Sequence, residues 1–446
     1  MIRAEETSTP TSSPSAVGIL GAGYIGAVLA GELAARGANV TAVDLSPHRI
    51  EAINSGRSPV PEPGLDELIH SGVEAGRLRA TQDIAELAGS STILLTVGTP
   101  LGEASEADLS HLRAAAEQLA DVIADGTLVL VKSTVPPGTT TDVVAPLLRA
   151  KKDVFVAFSP ERLAEGTAIA DMRRLPVVVG GVDALSSERG VAFWTDFGFE
   201  AMAVADARAA ELVKLADNAW IDLNIAFAHE LAMLCDRVGA DVLDVIRAAN
   251  TLPKGTGMVN ILLPSVGVGG YCLTKDPWFL DALGKELDVP LSLSAAGRTV
   301  NEAAPEYLWA RTKAALGDDL AGARVAVLGI AFKNNTGDTR FSPAIDYCRA
   351  AERDGAKVVW FDDLVPVHDI PDDLLNNRAD TWEEAVQGAN AIAWLAVHDS
   401  TKSLRPSDFL EYSAPSPVIA DGRRFLTASE RGEFAEAGIS VHGVGW

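Results

Sequence analysis

The segment PSVGVGGYCLTKD sets Cys272 directly behind Gly267, Gly269 and Gly270, with Lys275 and Asp276 following. Glycines let backbone wrap closely around a ligand while the thiol faces it, and a thiolate in a polar loop attacks an aldehyde. Free cysteines are as a rule inert small core hydrophobes, and Cys235 and Cys348 are read so. Lys214 and Asn218 are four apart in a helical stretch and so project from one face. A lysine there can hold an oxyanion or can be a solvated residue of an amphipathic helix, and the apolar surroundings favour the buried role. Thr134 in KSTVPPGTT and Glu161 and Glu165 in FSPERLAEGTA follow successive apolar runs. The carboxyl ends of a parallel sheet deliver such residues to a crevice, although a carboxylate so placed also reads as a helix-start or surface group.

Gly21, Gly23 and Gly26, with Tyr24 and Ile25 between them, form GxGxxG at the end of one apolar run and the start of a helix. The missing side chains allow a pyrophosphate to approach the helix N-terminus. Asp44 closes the next strand, placed to accept from a ribose diol and to repel a 2′-phosphate, so NAD is expected over NADP. Arg49 is the one base near this loop that argues the other way.

These residues need a scaffold. From Val17 the chain alternates strand, turn and helix, through STILLTVGTP, GTLVLVKSTV, DVFVAFSP and LPVVVGG, as a parallel sheet covered on both faces demands. The stretch 207–240 lacks proline and is apolar on most faces, which predicts a long buried spine helix that could also pack against a second copy of itself. ARVAVLGIAF opens a second alternation, continued by AKVVWFDD, AIAWLAVH and SPVIADG. The expected fold is α/β: two doubly wound, Rossmann-like domains joined by a helical central domain. The expected divisions are a disordered leader at 1–15, a dinucleotide domain at 16–205, a helical domain with the cysteine loop at 206–320 and a smaller α/β domain at 321–446.

Composition sets the bounds. The 446 residues, 48% apolar and 22% charged, suffice for two or three cored domains. A net charge of -24 argues against nucleic acid or anionic membrane as partners, because both need a basic field. Three cysteines without CxxC spacing suit a reducing compartment, hence a cytoplasmic location. No run reaches the roughly 18 uninterrupted apolar residues of a membrane span.

Taken together, GAGYIG, VDLSPHR, EPGL, STVPPG, PERLAEGTA, KLADN, SVGVGGYCLTKD and FKNNTGDTRFSP resemble, in order and spacing, the UDP-glucose/GDP-mannose dehydrogenase family over nearly the whole chain after the leader. PERLAEGTA and SVGVGGYC look closest to UDP-glucose 6-dehydrogenases, whereas SPER and the DPW after the cysteine loop are similar to the UDP-N-acetylhexosamine branch. The resemblance implies oxidation of a C6 alcohol through an aldehyde to a uronate with two NAD; no metal site is expected, and the long apolar helix makes a homodimer the expected assembly. By matching motif positions it makes Cys272 the nucleophile, with Lys214 and Asn218 stabilising an oxyanion. Asp276 with Thr134 would position water and move protons, and Glu161 would act as general acid/base. Gly21 to Gly26, Asp44, Arg49, Thr99, Thr134, Glu165 and Arg340 resemble cofactor contacts. Glu161, Arg162, Leu163, Lys214, Asn218, Gly269, Gly270 and Lys333 resemble contacts to the nucleotide sugar. Two departures stand out: Tyr271 replaces the serine common before the cysteine, and NTLPKGTGMVNILL lacks an arginine that the family often supplies to the partner's sugar site. β-Hydroxyacid dehydrogenases also join such a domain to a helical one with a Lys/Asn pair, but leave the Cys272 loop and everything after Gly322 without a task.

Overall fold

The computed structural model of the chain describes residues 15–102, 106–317, 320 and 322–446. The expected leader at 1–15 therefore lies outside the described residues but for Ser15, as do residues 318, 319 and 321 of the expected boundary before the last domain. The chain forms two compact units that divide between Lys214 and Leu215.

In the first unit β1 (Ala16–Leu20), β2 (Asn39–Val43), β3 (Leu78–Thr81), β4 (Thr92–Leu95), β5 (Leu128–Val131), β6 (Phe155–Phe158), β7 (Val177–Gly181) and β8 (Ala201–Ala203) form one sheet in the order β3-β2-β1-β4-β5-β6-β7-β8. β4 and β5, TILL and LVLV, are buried at every position, as strands covered on both faces must be. Each fully buried Val, Leu, Ile or Phe here contributes about 1.5–3 kcal/mol. One pairing departs from the expected all-parallel sheet: β6 and β7 are antiparallel, with Phe158 opposite Gly180. In that register β7 starts beyond the carboxyl end of β6. Residues 159–176 therefore stay at that edge, no crossover is made, and β7 must run back.

The helix Ala207–Val238 spans 32 residues, about 48 Å at 1.5 Å per residue. The unit division falls within it. Its expected burial holds only in part, because Trp220, Phe227 and Leu234, spaced by sevens on one face, stay 61%, 48% and 59% exposed. Its opposite side joins a core that also takes in the second sheet: Ala228, Ala232 and Cys235 pack in one cluster with Trp309, Val325 and Tyr347. Cys235 and Cys348 are buried there, where the loss of solvent pushes both thiols above their ordinary pKa.

In the second unit a small hairpin, β9 (Pro253–Lys254) and β10 (Gly257–Met258), precedes the cysteine loop. β11 (Arg324–Leu328), β12 (Lys357–Phe361), β13 (Ala391–Trp394), β14 (Val418–Asp421) and β15 (Ser440–Gly443) then pair in parallel, in the order β12-β11-β13-β14-β15. Trp394 is fully buried, with the Phe425 and Phe409 rings edge-on at 4.6 and 5.4 Å. Among the described residues no helix is long and apolar enough to cross a membrane.

Candidate functional site

Both sheets reverse direction beside their first strand, between β1 and β4 and between β11 and β13. The loops after these strands open the crevice in which doubly wound folds bind ligands. In the first unit Gly21 adopts φ 103°, and a side chain at Gly26 would strike the Gly21 carbonyl at 1.9 Å, so the turn tolerates only glycine. Nothing stands within 4 Å of where a Cβ on Gly23 would lie. Gly23 also caps the helix Tyr24–Ala35, leaving the helix N-terminus open to a pyrophosphate. Ile25 packs into the core beneath. Asp44 follows β2 and is tied into the turn, its Oδ2 accepting from Ala22 N at 2.7 Å and its Oδ1 from Ser46 N at 2.8 Å. Arg49 Nη1 lies 3.3 Å from Asp44 Oδ2, so the base that argued for a 2′-phosphate is paired with the carboxylate that argues against one. These residues fit an NAD adenosine and pyrophosphate.

The loops after β5 and β6 carry the acid/base candidates. Thr99 Oγ1 donates to the Thr134 carbonyl at 2.6 Å. Glu211, buried on the long helix, accepts from Gly138 N and Thr140 N at 2.6 and 2.7 Å, anchoring the STVPPGTT loop. Burial raises Glu211's pKa. Glu62 of EPGL does the same for the next loop, accepting from Gly166 N and Ala168 N, each at 2.7 Å, and from the Tyr24 hydroxyl. Glu165 is half-buried just ahead of that anchor. Glu161, 9% exposed, accepts from Lys214 Nζ at 2.6 Å and from Leu163 N at 3.0 Å. Burial pushes Glu161 up, but the charge and hydrogen bond of Lys214, the Leu163 amide and the charge of Lys132 outweigh it, and the carboxyl ends below its ordinary value. An ionised Glu161 accepts protons at neutral pH, which suits a base. Arg162 and Leu163 line a cavity with Glu161, Lys132, Pro160 and Trp194.

In the second unit, a Cβ on Gly269 would meet Phe332, Phe341 and Pro343 at 2.7 Å, so residues 269–270 lie flat on the FKNNTGDTRFSP segment. Gly270 N donates to the Arg340 carbonyl at 3.0 Å. The Arg340 guanidinium stands 5.6 Å from the Tyr271 ring and pairs with Asp338. Cys272 is exposed, and its carbonyl accepts from Lys275 N and Asp276 N at 3.1 and 2.9 Å, closing a tight turn before the helix Asp276–Glu286. Asp276 is fully buried, with one oxygen taking Asn218 Nδ2 at 2.5 Å and the other 2.8 Å from Lys275 Nζ. Lys214 thus holds the Glu161 carboxylate in the first unit, and Asn218 the Asp276 carboxylate in the second.

Beneath the cysteine loop runs a chain of buried polar groups that sequence reasoning missed. His229 Nε2 accepts from Ser265 N at 3.1 Å, while Nδ1 meets Asn301 Oδ1 at 2.9 Å. Asn301 Nδ2 donates to Asp222, which pairs with Arg298 at 2.8 Å. Burial drives His229's pKa down to about 4, so it stays a neutral brace. Lys333 is half-buried in the loop after β11. Nearby, Asp362, Asp363 and His398 are spaced closely enough for a metal, but Asp362 already accepts from four backbone amides (Ile330, Ala331, Leu364 and Val365) and from His398 Nε2 at 3.0 Å. His398 Nδ1 takes Asn335 N, so the cluster braces two loops. Four of the missed residues shared a signal, a charged or polar side chain in or beside a largely apolar run: Glu211, Asp222 and His229 on the long helix and Lys132 at the end of LVLV.

Comparison with known proteins agrees with this geometry. Residues 15–197, 208–303 and 326–428 match the NAD binding, central and UDP binding domains of the UDP-glucose/GDP-mannose dehydrogenase family. The chain is 33% identical to a UDP-N-acetyl-D-mannosamine dehydrogenase of Yersinia pestis over 416 residues, 88% of this chain and 96% of that one. It is 36% identical to an NDP-N-acetyl-D-galactosaminuronic acid dehydrogenase of Ralstonia solanacearum over 425 residues, 92% and 96% of the two chains. Among solved structures, a UDP-glucose dehydrogenase from Pyrobaculum islandicum superposes with a TM-score of 0.87 at 29% identity, covering 99% of this chain and 100% of that one. The chain belongs to the UDP-glucose/GDP-mannose dehydrogenase family and is an NAD-dependent nucleotide sugar dehydrogenase.

Proposed function

We propose that the enzyme oxidises the C6 primary alcohol of a UDP-N-acetylhexosamine to the carboxylate, with Cys272 carrying the intermediate. The observation behind the chemistry is the loop 267–276, an exposed thiol on glycine backbone just ahead of a buried carboxylate held by Asn218. NAD, which the Gly21–Gly26 turn and Asp44 would hold, would supply the hydride acceptor for both oxidations at C6. Glu161, ionised beside Lys214, takes the alcohol proton as the aldehyde forms. The Cys272 thiolate then adds to the aldehyde carbon, and Lys214 and Asn218 stabilise the oxyanion of the thiohemiacetal. Loss of the second hydride leaves a thioester. A water positioned by Asp276 and Thr134 cleaves it, releasing the uronate and the thiol.

For the sugar, the mannosamine and galactosaminuronic relatives favour an N-acetylated hexose, and the bulk of Tyr271 ahead of Cys272 separates this loop from the serine pattern of UDP-glucose enzymes. UDP-glucose, which PERLAEGTA and SVGVGGYC put first, is the second reading, favoured by the Pyrobaculum likeness. The test is NADH formed per sugar with UDP-N-acetylmannosamine, UDP-N-acetylgalactosamine, UDP-N-acetylglucosamine and UDP-glucose in turn. Two NADH per sugar with an N-acetylated substrate is the expected result. Turnover of UDP-glucose alone would reverse the order of the two readings, and one NADH per sugar would remove the thioester route.

The protein works as a cytoplasmic homodimer in this reading. The exposed Trp220, Phe227 and Leu234 set three large apolar side chains along one face of the helix, which a second copy of the helix would cover. The double variant Trp220→Glu/Phe227→Glu is expected to halve the mass measured by sedimentation. An unchanged mass would place the dimer contact elsewhere.

A further inference from the structure

Lys132 has no part in the reaction as derived above, yet it is among the most deeply placed charges in the first unit, 5% exposed at the carboxyl end of β5. Burying an ammonium costs several kcal/mol unless something answers it. What answers it is backbone: Lys132 Nζ donates to the Ser159 carbonyl at 2.8 Å and the Pro160 carbonyl at 3.4 Å, the two residues directly before Glu161. Trp194 closes the same grip, its ring 4.8 Å from the ammonium and its Nε1 donating to Ser159 Oγ at 3.1 Å. A side chain kept only to fill this space would be apolar.

We propose that Lys132 is a positioning residue for Glu161: it fixes the backbone from which Glu161 projects and holds a second positive charge behind the Glu161–Lys214 pair. The assignment rests on Glu161 acting as the base. The charged groups around it are few. Lys214 faces Glu161 from the long helix. Asp171 of the helix Ala168–Arg174 lines the same cavity and is paired with Arg174 at 3.0 Å, and Arg162 lines it beside Glu161. The helix Ala184–Asp196 contributes the uncharged Trp194, and the helix Tyr24–Ala35 contributes Leu29. Burial brings Lys132's pKa down to about 7, Glu161 opposing the fall and Lys214 adding to it. At and below neutrality Lys132 therefore carries charge, which lowers the pKa of Glu161. Removing it must raise that pKa.

The experiment is the pH profile of kcat/KM with UDP-N-acetylmannosamine, or with whichever sugar of the panel is oxidised, for wild type, Lys132→Met, Lys132→Gln, Lys132→Arg and Glu161→Gln. The acid limb is expected to move up by about one pH unit in the methionine and glutamine variants, the scale of one neighbouring charge, and to stay in place in the arginine variant. A uniform fall in rate with the limb unmoved in Lys132→Met and Lys132→Gln, while Glu161→Gln abolishes the limb, overturns the role of Lys132 alone. An acid limb that survives Glu161→Gln overturns the reading of Glu161 as base, and the assignment of Lys132 with it. Glutamine keeps a hydrogen-bond donor, so it reports on charge even if methionine prevents folding.

Discussion

Cys272→Ala is expected to end uronate formation, lowering the steady-state rate by roughly 10³-fold or more, the scale on which losing a nucleophile acts. Stability should hardly change, because Cys272 is exposed. Cys272→Ser separates the two oxidations. A hydroxyl is a poor nucleophile without an adjacent base, so the first hydride still leaves while the second is stalled, and NADH per sugar falls from two towards one. Denatured wild-type enzyme quenched during turnover should carry a covalent adduct on the Cys272 peptide by mass spectrometry, and the alanine variant should not. A Cys272→Ala enzyme within tenfold of wild type would falsify the covalent route.

The second large effect is expected at Lys214. Lys214→Met removes an oxyanion partner, costing about 10²–10³ in kcat, and strands Glu161, whose Oε1 now meets the lysine at 2.6 Å. Breaking one side of a buried pair destabilises by about 3–5 kcal/mol. In wild type the Glu161 carboxyl lies below its ordinary pKa, so the stability it contributes is present above that ordinary value and lost as pH falls through the depressed one. Without Lys214, burial dominates and the sign reverses: the variant should gain relative stability on acidification. Urea titrations at pH 8 and pH 5 check this. Adding Glu161→Gln to Lys214→Met should restore most of the stability and none of the rate, a coupling that a double-mutant cycle reads directly. If the double variant is no more stable than Lys214→Met alone, the pair does not hold the loop.

Both predictions concern residues that could be read from the chain itself, because Cys272 is framed by glycines and Lys214 by apolar helix. The same is true of the strands: runs such as TILL and LVLV are short, almost wholly apolar and bounded by turn residues, and they lie where expected. The antiparallel turn-back of β7 was not legible, since it depends on the path of residues 159–176 and not on the composition of VVVGG. β8, three residues long, and β15, SVHG, have too little pattern to announce a strand. At the site, EPGL was visible as a motif while the task of Glu62 was not, because a carboxylate that accepts amides 104 and 106 residues away is defined only by the fold. The tasks of Lys132 and His229 were hidden for the same reason, although each stands out as a polar side chain in or beside an apolar run. The exposure of Trp220 and Phe227 contradicts the apolar helix only if the chain is alone.

The anchors share one design. Asp44, Glu62, Glu211 and Asp362 each reach from the scaffold and grasp backbone N–H groups of a loop that carries site residues. Most of these grips are on backbone alone; the side chains that join them are Arg49 at Asp44, Tyr24 at Glu62 and His398 at Asp362. Loop placement and loop chemistry are thereby largely decoupled, so a residue such as Leu163 can be exchanged without the backbone losing its moorings at Glu62. Such a scaffold can drift from one hexose to another by single substitutions, each altering what the loop offers a sugar while the hydride and thiol chemistry stays where it was. Divergence in substrate should therefore accumulate on the free faces of these loops, and loss of function at the carboxylates behind them.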